Sequence, residues 1–455
     1  MLVTIGVCGL KYNWFGKSVV RTCYCGVRHK FGDKNMTINS IRFDLSNWLI
    51  HFFRDIDFES DNSVPYVEHM GWGNVTEDTH YSALFMLRCA IRSGRLWATW
   101  SYRNGARTIY GPDPAVCFTE MPIAAFIESG EARHQRGEAM SPFALIFPKN
   151  DMFIAGANPV IYGLDDKNYW LPSGQGGRAR IIDSNVLPER EQYRYVTYNP
   201  TARVPIDWSH EREWRWPYRA DYSMVEEEIK EYGLIEEIMD IPGLDFYQER
   251  ISDIGVVVRN EEQGKRIAHD ILVLVDRGDI AKNTFGFILI SDELPNGERF
   301  VYPEDTQNAI SASLIDLTPF FSHNKNELHL LVEEFSTLVM QVESESSPPE
   351  DGTYGGCWLW VLDNTSLLVR ALIEEHRIIV TESGKYLVNL FEFSDSRSLE
   401  QREEMTRKLA RLVKNKYGVE CGYFSVDNSD DPNELPFYNS DHLDNNLHYN
   451  VSWEY

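Results

Sequence analysis

The chain has 455 residues, of which 43% are hydrophobic and 13% aromatic. This composition is typical of a folded globular protein, and the length predicts two or three domains. No run of about 18 apolar residues occurs, so we expect no membrane span. Seven scattered cysteines, without the spacing of a zinc finger, fit a reducing cytoplasm better than a disulfide framework. We therefore expect a cytoplasmic protein without a structural metal site.

The charge is divided unevenly along the chain. Residues 1–220 contain 25 Lys and Arg against 23 Asp and Glu, a net charge of +2, whereas residues 221–455 contain 19 against 46, a net charge of −27. The C-terminal half therefore repels nucleic acid at long range, while the N-terminal half can still approach it. Such an acidic half most often serves solubility, and the alternative is that it holds a protein partner.

The first half of the chain predicts one domain of short strands. Residues 1–40 show no clear periodicity, and we interpret them as an N-terminal arm. Residues 41–220 alternate short apolar and aromatic segments with turns, and they contain one clear helix that begins at Thr76 or Asp78 and ends at Gly94. This pattern is typical of a helix-poor α+β domain.

The pattern changes after residue 220. An acidic helix over 224–239 is followed by a strand over 254–258, a helix and a strand over 285–290, which predicts an acidic α/β domain over 221–345. A stretch rich in Ser, Pro, Gly and acidic residues over 346–356 is typical of a linker. Residues 357–455 contain short strands and a helix that ends at Gly418, so we expect a small C-terminal α+β domain there.

One charged and aromatic stretch, Asp207–Trp216, stands out. Read as a strand, it places Glu211, Glu213 and Arg215 on one face, and Arg212 with two tryptophans on the other. Burying two carboxylates and a guanidinium costs free energy. The stretch therefore predicts either an active-site strand with a catalytic glutamate or a surface strand with a ladder of salt bridges.

Missing motifs argue against several enzyme classes. The sequence has no GxxxxGK[ST] loop, no strand-borne GxGxxG, no GxSxG and no HExxH. Glycoside chemistry is also disfavoured, because Glu211 and Glu213 on one strand lie about 7 Å apart and cannot easily flank a sugar bond. What is left is an ordered set of three segments: a strand with His51, a strand that ends at Phe118-Thr119-Glu120, and the Glu-x-Glu strand.

Four segments carry a resemblance to a known superfamily: LIHFFR (49–54), AVCFTEMP (115–122), NPVIY (158–162) and EREWR (211–215). A strand histidine, an aromatic strand and a final Glu-x-Glu strand resemble the ADP-ribosyltransferase superfamily. More narrowly, these segments look like bacterial phage-resistance and abortive-infection proteins that are distantly related to DarT-type toxins. The resemblance covers about residues 41–220. It implies a split antiparallel sheet, NAD as the substrate, and a nucleic-acid or protein acceptor for the ADP-ribose.

The resemblance also implies roles for individual residues. Glu213 would stabilise the oxocarbenium-like state in which the bond to nicotinamide breaks, and Glu211 would orient or deprotonate the acceptor. His51 would donate a hydrogen bond to the NAD ribose. Further contacts to NAD, from guanidinium groups to the pyrophosphate and from other side chains near the nicotinamide, would come from Arg54, Arg103, Phe118, Thr119 and Tyr162.

Two other functions stay open. Cys117 stands where the family strand has an aromatic residue, so the domain is alternatively an inactive relative that acts as a sensor or binding protein through its acidic C-terminal half. In the second alternative, Glu120, Glu211 and Glu213 surround a divalent metal ion in a hydrolase or nuclease.

Overall fold

The computed structural model describes residues 46–57, 80–103, 106–136, 140–163, 180–203, 205–223, 242–294, 303–434 and 438–439. All described residues belong to one compact unit, 43–455. The N-terminal arm predicted over 1–40 and the acidic helix predicted over 224–239 lie outside the described residues. Helices and strands are both well represented in the rest, so the predicted α+β class is confirmed.

An eight-stranded sheet forms the larger core. In chain order its strands are β1 (Trp48–Phe52), β2 (Ala115–Thr119), β3 (Ala144–Pro148), β4 (Asn158–Pro159), β5 (Glu213–Pro217), β6 (Ile254–Val258), β7 (Phe285–Ile290) and β8 (Leu314–Asp316). Their order across the sheet is β8-β7-β6-β3-β1-β2-β5-β4. The pairings are antiparallel except between β6 and β7, which run parallel.

The predicted domain boundary at residue 220 is wrong. Strand β6 pairs with β3, with Val256 opposite Leu145, so the sheet continues directly from the first half of the chain into the second. All five residues of β6 are buried. A strand whose residues are all apolar and buried lies inside a sheet that is covered on both faces. The shift to acidic composition therefore reflects the surface of residues 221–345 rather than a separate domain.

Helices cover both faces of this sheet. On one face, α1 (Ala83–Ser93) packs its apolar stripe against the strands. On the other face lies α2 (Ile123–Gln135), whose Phe126 packs against Ile50. The short helix α3 (Lys149–Ile154) follows β3 directly. Helix α1 is capped by Ser82 rather than by the predicted Thr76 or Asp78, and its predicted end at Gly94 is confirmed by a left-handed φ of 68°.

Helix α4 (Glu261–Arg277) connects the larger core to a smaller one. Its Ile267 and Ile271 pack in the larger core, whereas its Val273 packs in the smaller. Near its end, Asp276 forms an ion pair with Arg370. Helix α5 (Pro303–Ala312) follows later in the chain, before β8. The two cores thus share a helix, and no described residue between them belongs to an extended linker.

The smaller core is built on a five-stranded sheet. Its helices are α6 (Lys325–Glu345), α7 (Leu367–Glu374) and α8 (Leu399–Tyr417), and its strands are β9 (Gly355–Val361), β10 (Ile378–Val380), β11 (Tyr386–Val388), β12 (Cys421–Asp427) and β13 (Tyr438–Asn439). The strand order is β10-β11-β9-β12-β13. Phe335 of α6 and Leu409 of α8 pack in this same core. The predicted end of α8 at Gly418 is confirmed by its left-handed φ of 71°.

The predicted linker over 346–356 is a loop inside this smaller domain. Helix α6, which precedes the loop, and β9, which begins at Gly355, belong to one core. The loop is also held by side chains: Arg397 donates to the Ser347 carbonyl at 2.6 Å, and the Thr353 hydroxyl donates to Glu400 at 2.5 Å. Its Ser, Pro and Gly content therefore reflects a loop that is fixed on the surface.

Four further pairs of short strands occur in the described residues: 56–57 with 80–81, 95–97 with 243–245, 102–103 with 106–107, and 161–162 with 195–196. The last two pairs matter for the site, because they contain predicted site residues. None of the helices over the described residues has the length and apolar character needed to cross a membrane.

Candidate functional site

Three of the four resembling segments lie on adjacent strands, in the order β1-β2-β5, and the fourth begins in β4 beside β5. The register places Ile50 opposite Thr119 and Thr119 opposite Glu213. Because residues directly opposite each other share a face, and successive residues alternate, Thr119 and Glu213 point to one face. His51 and Phe118 point to the other. The sheet therefore brings the three motifs together but separates His51 from Glu213.

Glu213 is held by a buried arginine on its own strand. Arg215 donates from Nε to Oε1 of Glu213 at 2.7 Å and from Nη2 to Oε2 at 3.2 Å. Its Nη1 donates to the Tyr193 carbonyl at 2.6 Å. The side chain of Arg215 is 6% exposed and that of Glu213 is 18% exposed. The arrangement thus gives an oriented carboxylate that solvent still reaches.

Electrostatics keep Arg215 charged and its neighbour Cys117 neutral. Burial would lower the pKa of Arg215, but the Glu213 carboxylate beside it raises that pKa above its ordinary value. Cys117, directly opposite Arg215 in the register, contacts both charged groups. Burial first, and then the charge of Glu213, raise the pKa of the Cys117 thiol. Cys117 therefore stays protonated, which suits a packing role and not that of a nucleophile.

Glu211 lies in a turn, so its predicted place in the strand is wrong. Residues Ser209–Glu211 form a 3-10 turn, and Arg212 takes a left-handed φ of 46° before β5 begins at Glu213. The left-handed residue breaks the period-two alternation on which the prediction depended. The Glu211 carboxylate accepts a hydrogen bond from Arg133 Nη1 at 2.7 Å, and His210 Nε2 lies 3.6 Å from the same oxygen.

Two predicted NAD-contacting residues instead hold this turn. The Thr119 hydroxyl donates to the Glu211 carbonyl at 2.5 Å, and the Tyr162 hydroxyl donates to the Trp208 carbonyl at 3.1 Å. Thr119 is 2% exposed, so the contact with NAD predicted for it does not fit its position. Tyr162 is partly exposed, and burial raises the pKa of its hydroxyl, which keeps it a donor. Both residues position Glu211.

His51 and Phe118 lie on the opposite face of the sheet. His51 Nδ1 donates to the Cys117 carbonyl at 2.9 Å, and burial lowers the pKa of the ring to about 4. In this neutral form Nε2 carries a lone pair and accepts a hydrogen bond, so the donation to a ribose hydroxyl predicted for His51 does not fit this form of the ring. Phe118 packs its ring against His51, at 5.7 Å between centroids, and is 3% exposed. It is not available to stack on nicotinamide.

Of the two arginines predicted for the pyrophosphate, Arg54 lies away from this site, and the side chain of Arg103 falls outside the described structure. Arg54 follows β1, and the antiparallel register places it level with Ala115, four residues from Thr119. Four residues of strand span about 13 Å. Arg54 therefore lies toward the other end of the sheet. Arg103 lies in the short strand Tyr102–Arg103, and its side chain is outside the described part of the structure.

The carboxylates of the metal hypothesis do not share a site. Glu120 accepts a hydrogen bond from Trp214 Nε1 at 2.6 Å and an ion pair from Lys149 at 2.9 Å. Trp214 points to the face opposite Glu213, so Glu120 lies across the sheet from Glu211 and Glu213. Within the described ranges, no group of three or more His, Cys, Asp or Glu side chains is arranged to hold a metal ion.

For two residues of the site, the sequence pattern carries only a weak signal. Arg215 was predicted to share a face with Glu213, as in a ladder of salt bridges, but the pattern did not indicate that its guanidinium is buried and also donates to the Tyr193 carbonyl. Arg133 lies in α2, far from Glu211 along the chain, and its helix position carries no motif. The site on this face is thus Glu211 and Glu213 with their arginines, and Thr119 and Tyr162 behind the turn.

Comparison with known proteins concerns the smaller domain. Residues 324–451 match a family model described as a protein of unknown function, DUF4427. The match begins at Asn324, the residue that caps α6, and so covers the α6-to-β13 domain described above. No curated protein and no solved structure matches the chain. The matched family has no described function and therefore assigns none to the smaller domain.

Proposed function

We propose that the larger domain is an ADP-ribosyltransferase-like enzyme that consumes NAD, as a toxin or an anti-phage effector. The observation that carries this proposal is the Glu213 carboxylate. Buried Arg215 holds it in place, and the Glu213 side chain is still 18% exposed to solvent. The adjacency of β1, β2 and β5, which carry the resembling segments, supports an ADP-ribosyltransferase-like fold.

The chemistry needs an oriented negative charge. When the bond between ribose and nicotinamide breaks, positive charge develops on the ribose, and a preorganised carboxylate stabilises it. Arg215 fixes both oxygens of Glu213 while 18% of the Glu213 side chain stays exposed, so Glu213 needs little reorganisation during the reaction. Glu211, in the adjoining turn, orients or deprotonates the acceptor. His51 acts on the other face as a structural residue, through its bond to the Cys117 carbonyl.

The proposal is tested with labelled NAD. The full-length protein is incubated with NAD and bacterial extract, and both NAD loss and transferred label are measured. We expect transfer by the wild type and a loss of about 100-fold or more in Glu213→Gln, as for removal of other electrostatic groups. Glu120→Gln is the matched control, because Glu120 is equally exposed and ion-paired but lies across the sheet.

The outcomes are distinct. Activity in the control with loss in Glu213→Gln supports the proposal, and His51→Gln should also keep its activity because His51 faces away from Glu213. Equal activity of the wild type and Glu213→Gln contradicts the assignment of Glu213. No NAD consumption by the wild type contradicts the enzyme itself.

A second candidate is a non-catalytic sensor or binding protein with this fold. The ion pairs of both site glutamates favour it, since Glu213 with Arg215 and Glu211 with Arg133 are also what a purely structural cluster requires. In this case, toxicity or phage defence in cells survives Glu213→Gln. If the phenotype is lost together with NAD consumption, the binding hypothesis is wrong.

A further inference from the structure

A cavity of about 460 Å³ lies where α4 meets the smaller domain. One wall is the end of α4, with Asp276 and Arg277, and the other comes from α7 and β10. The volume is in the range of small-molecule sites, which span about 300–1,000 Å³. The residues that line it include none of the site around Glu213. The cavity is therefore a second candidate binding site, with walls from the shared helix and from the smaller domain.

One buried carboxylate in the cavity wall is not fully compensated by the cations around it. The Asp276 side chain is 7% exposed, and its Oδ2 accepts hydrogen bonds from the Tyr386 hydroxyl at 2.8 Å and from Arg370. Its Oδ1 accepts none from the residues that the structure describes. Burial raises the pKa of Asp276, and the charges of Arg370 and Lys282 lower it only in part. Asp276 is thus a preformed acceptor for a further cation.

The other charges of the cavity also favour a cation. Glu374 lines the cavity, its side chain has no hydrogen bond or ion pair to any described residue, and its charge adds to the rise in the pKa of Asp276. The guanidinium of Arg277 is already used, since it donates to the Glu382 carbonyl at 2.7 Å and pairs with Asp279. Helices α4 and α7 both end at the cavity, and a helix C-terminus carries partial negative charge. An anion would therefore meet repulsion here.

Apolar side chains give the cavity a second feature. Ile373, Ile378 and Val380 line it and are partly exposed. A hydrated metal ion gains nothing from such side chains, whereas a carbon chain that packs on them removes apolar surface from water. The cavity therefore fits a cation that carries an aliphatic body.

We propose that this cavity binds an aliphatic amine, with the ammonium group at Asp276 and Glu374 and the carbon chain against the three apolar side chains. An ammonium group has three donors, which two carboxylates can accept. The net charge of −27 over residues 221–455 draws such cations toward this half of the chain. Because α4 and the smaller domain each form one wall, the bound amine contacts both. The inference does not depend on NAD or on Glu213.

The test measures the binding of butylamine to the full-length protein by ligand-observed NMR at fixed ionic strength. We expect it to bind at least about 10-fold more tightly than butanol, which has the same carbon chain without the charge. Butyrate, an anion of similar length, should not bind. Ethylamine has the same charge but two fewer methylene groups, and it should bind about 10-fold more weakly. Equal binding of the two amines, or binding of butanol or butyrate as tight as that of butylamine, would overturn the inference.

Two neighbouring glutamates supply a matched pair of variants. Glu374→Gln removes a carboxylate that lines the cavity and should weaken butylamine binding by about 5-fold. Glu375→Gln removes the next carboxylate, which pairs with His329 and does not line the cavity, and should bind like the wild type.

Asp276→Asn should weaken binding more than Glu374→Gln, because Asp276 is buried, and thermal denaturation checks that this variant folds. If it does not fold, the glutamate pair still decides. Equal binding by Glu374→Gln and Glu375→Gln contradicts the assignment of the cavity, as does an absence of butylamine binding by the wild type.

Discussion

The ion pair between Glu213 and Arg215 makes a sharp prediction about stability. Replacing Glu213 by Gln keeps the size of the side chain but removes the charge opposite Arg215. Arg215 is 6% exposed, so it retains a positive charge with little access to water. Its hydrogen bonds to the carbonyls of Tyr193 and Tyr195 stay, but both hydrogen bonds to the carboxylate weaken or disappear.

The size of the effect follows from burial and geometry. Removing one partner of a fully buried ion pair costs about 3–5 kcal/mol. Glu213 is 18% exposed, so water partly compensates the charge of Arg215. The Gln carbonyl can also still accept the bond that Arg215 Nε donates at 2.7 Å. We therefore expect Glu213→Gln to lower the free energy of unfolding by about 2 kcal/mol.

Urea denaturation followed by tryptophan fluorescence measures this loss, and a double-mutant cycle isolates it. The cycle compares Glu213→Gln, Arg215→Gln and the double variant, and we expect a coupling of about 1–3 kcal/mol for residues in direct contact. Additive single effects would mean that the two side chains do not interact in solution. The orientation of Glu213, and with it the proposed function, would then lose its support.

Three further substitutions test other parts of the structure. Asp270→Asn should lower the free energy of unfolding by about 3–5 kcal/mol in thermal denaturation, since Asp270 is fully buried against Arg88. Gly94→Ala should cost at least about 1 kcal/mol, because φ is 68° and a Cβ would lie 2.1 Å from the Tyr247 ring. Burial lowers the pKa of His51 from its ordinary value of 6.5 to about 4, so the folded state binds fewer protons between these pH values. Stability should fall by up to about 3 kcal/mol as pH drops from 6.5 to 4, and His51→Gln should remove that part of the dependence. Unchanged stability in the first two variants, or an unchanged pH profile in the third, would contradict the burial on which each depends.

Short-range patterns of the sequence were enough for much of the secondary structure. Strands β6 and β7 begin and end at the predicted residues, 254–258 and 285–290. The ends of α1 at Gly94 and of α8 at Gly418 were also predicted, because a glycine with positive φ is a local stop signal. These features depend on neighbours within about one helical turn, which the sequence displays directly.

The domain plan needed contacts that are distant in sequence. A change to acidic composition suggested a boundary at residue 220, but β6 pairs with β3 across it. The Ser- and Pro-rich stretch after α6 suggested a linker, but α6 packs in the core that follows it. Composition reports what a surface exposes to water, whereas domains are defined by which apolar faces pack together.

The sequence by itself determined which residue types are available to the site and the order, along the chain, of the three strands that carry them. Tertiary structure decided which of these residues meet. One left-handed residue, Arg212, took Glu211 out of the strand, and the register of β1 on β2 turned His51 away from Glu213. Arg133 joined the site from a helix that no motif connects to it. The physical reason is that a shift of one residue in strand register reverses every side chain, and long-range pairing alone sets that register.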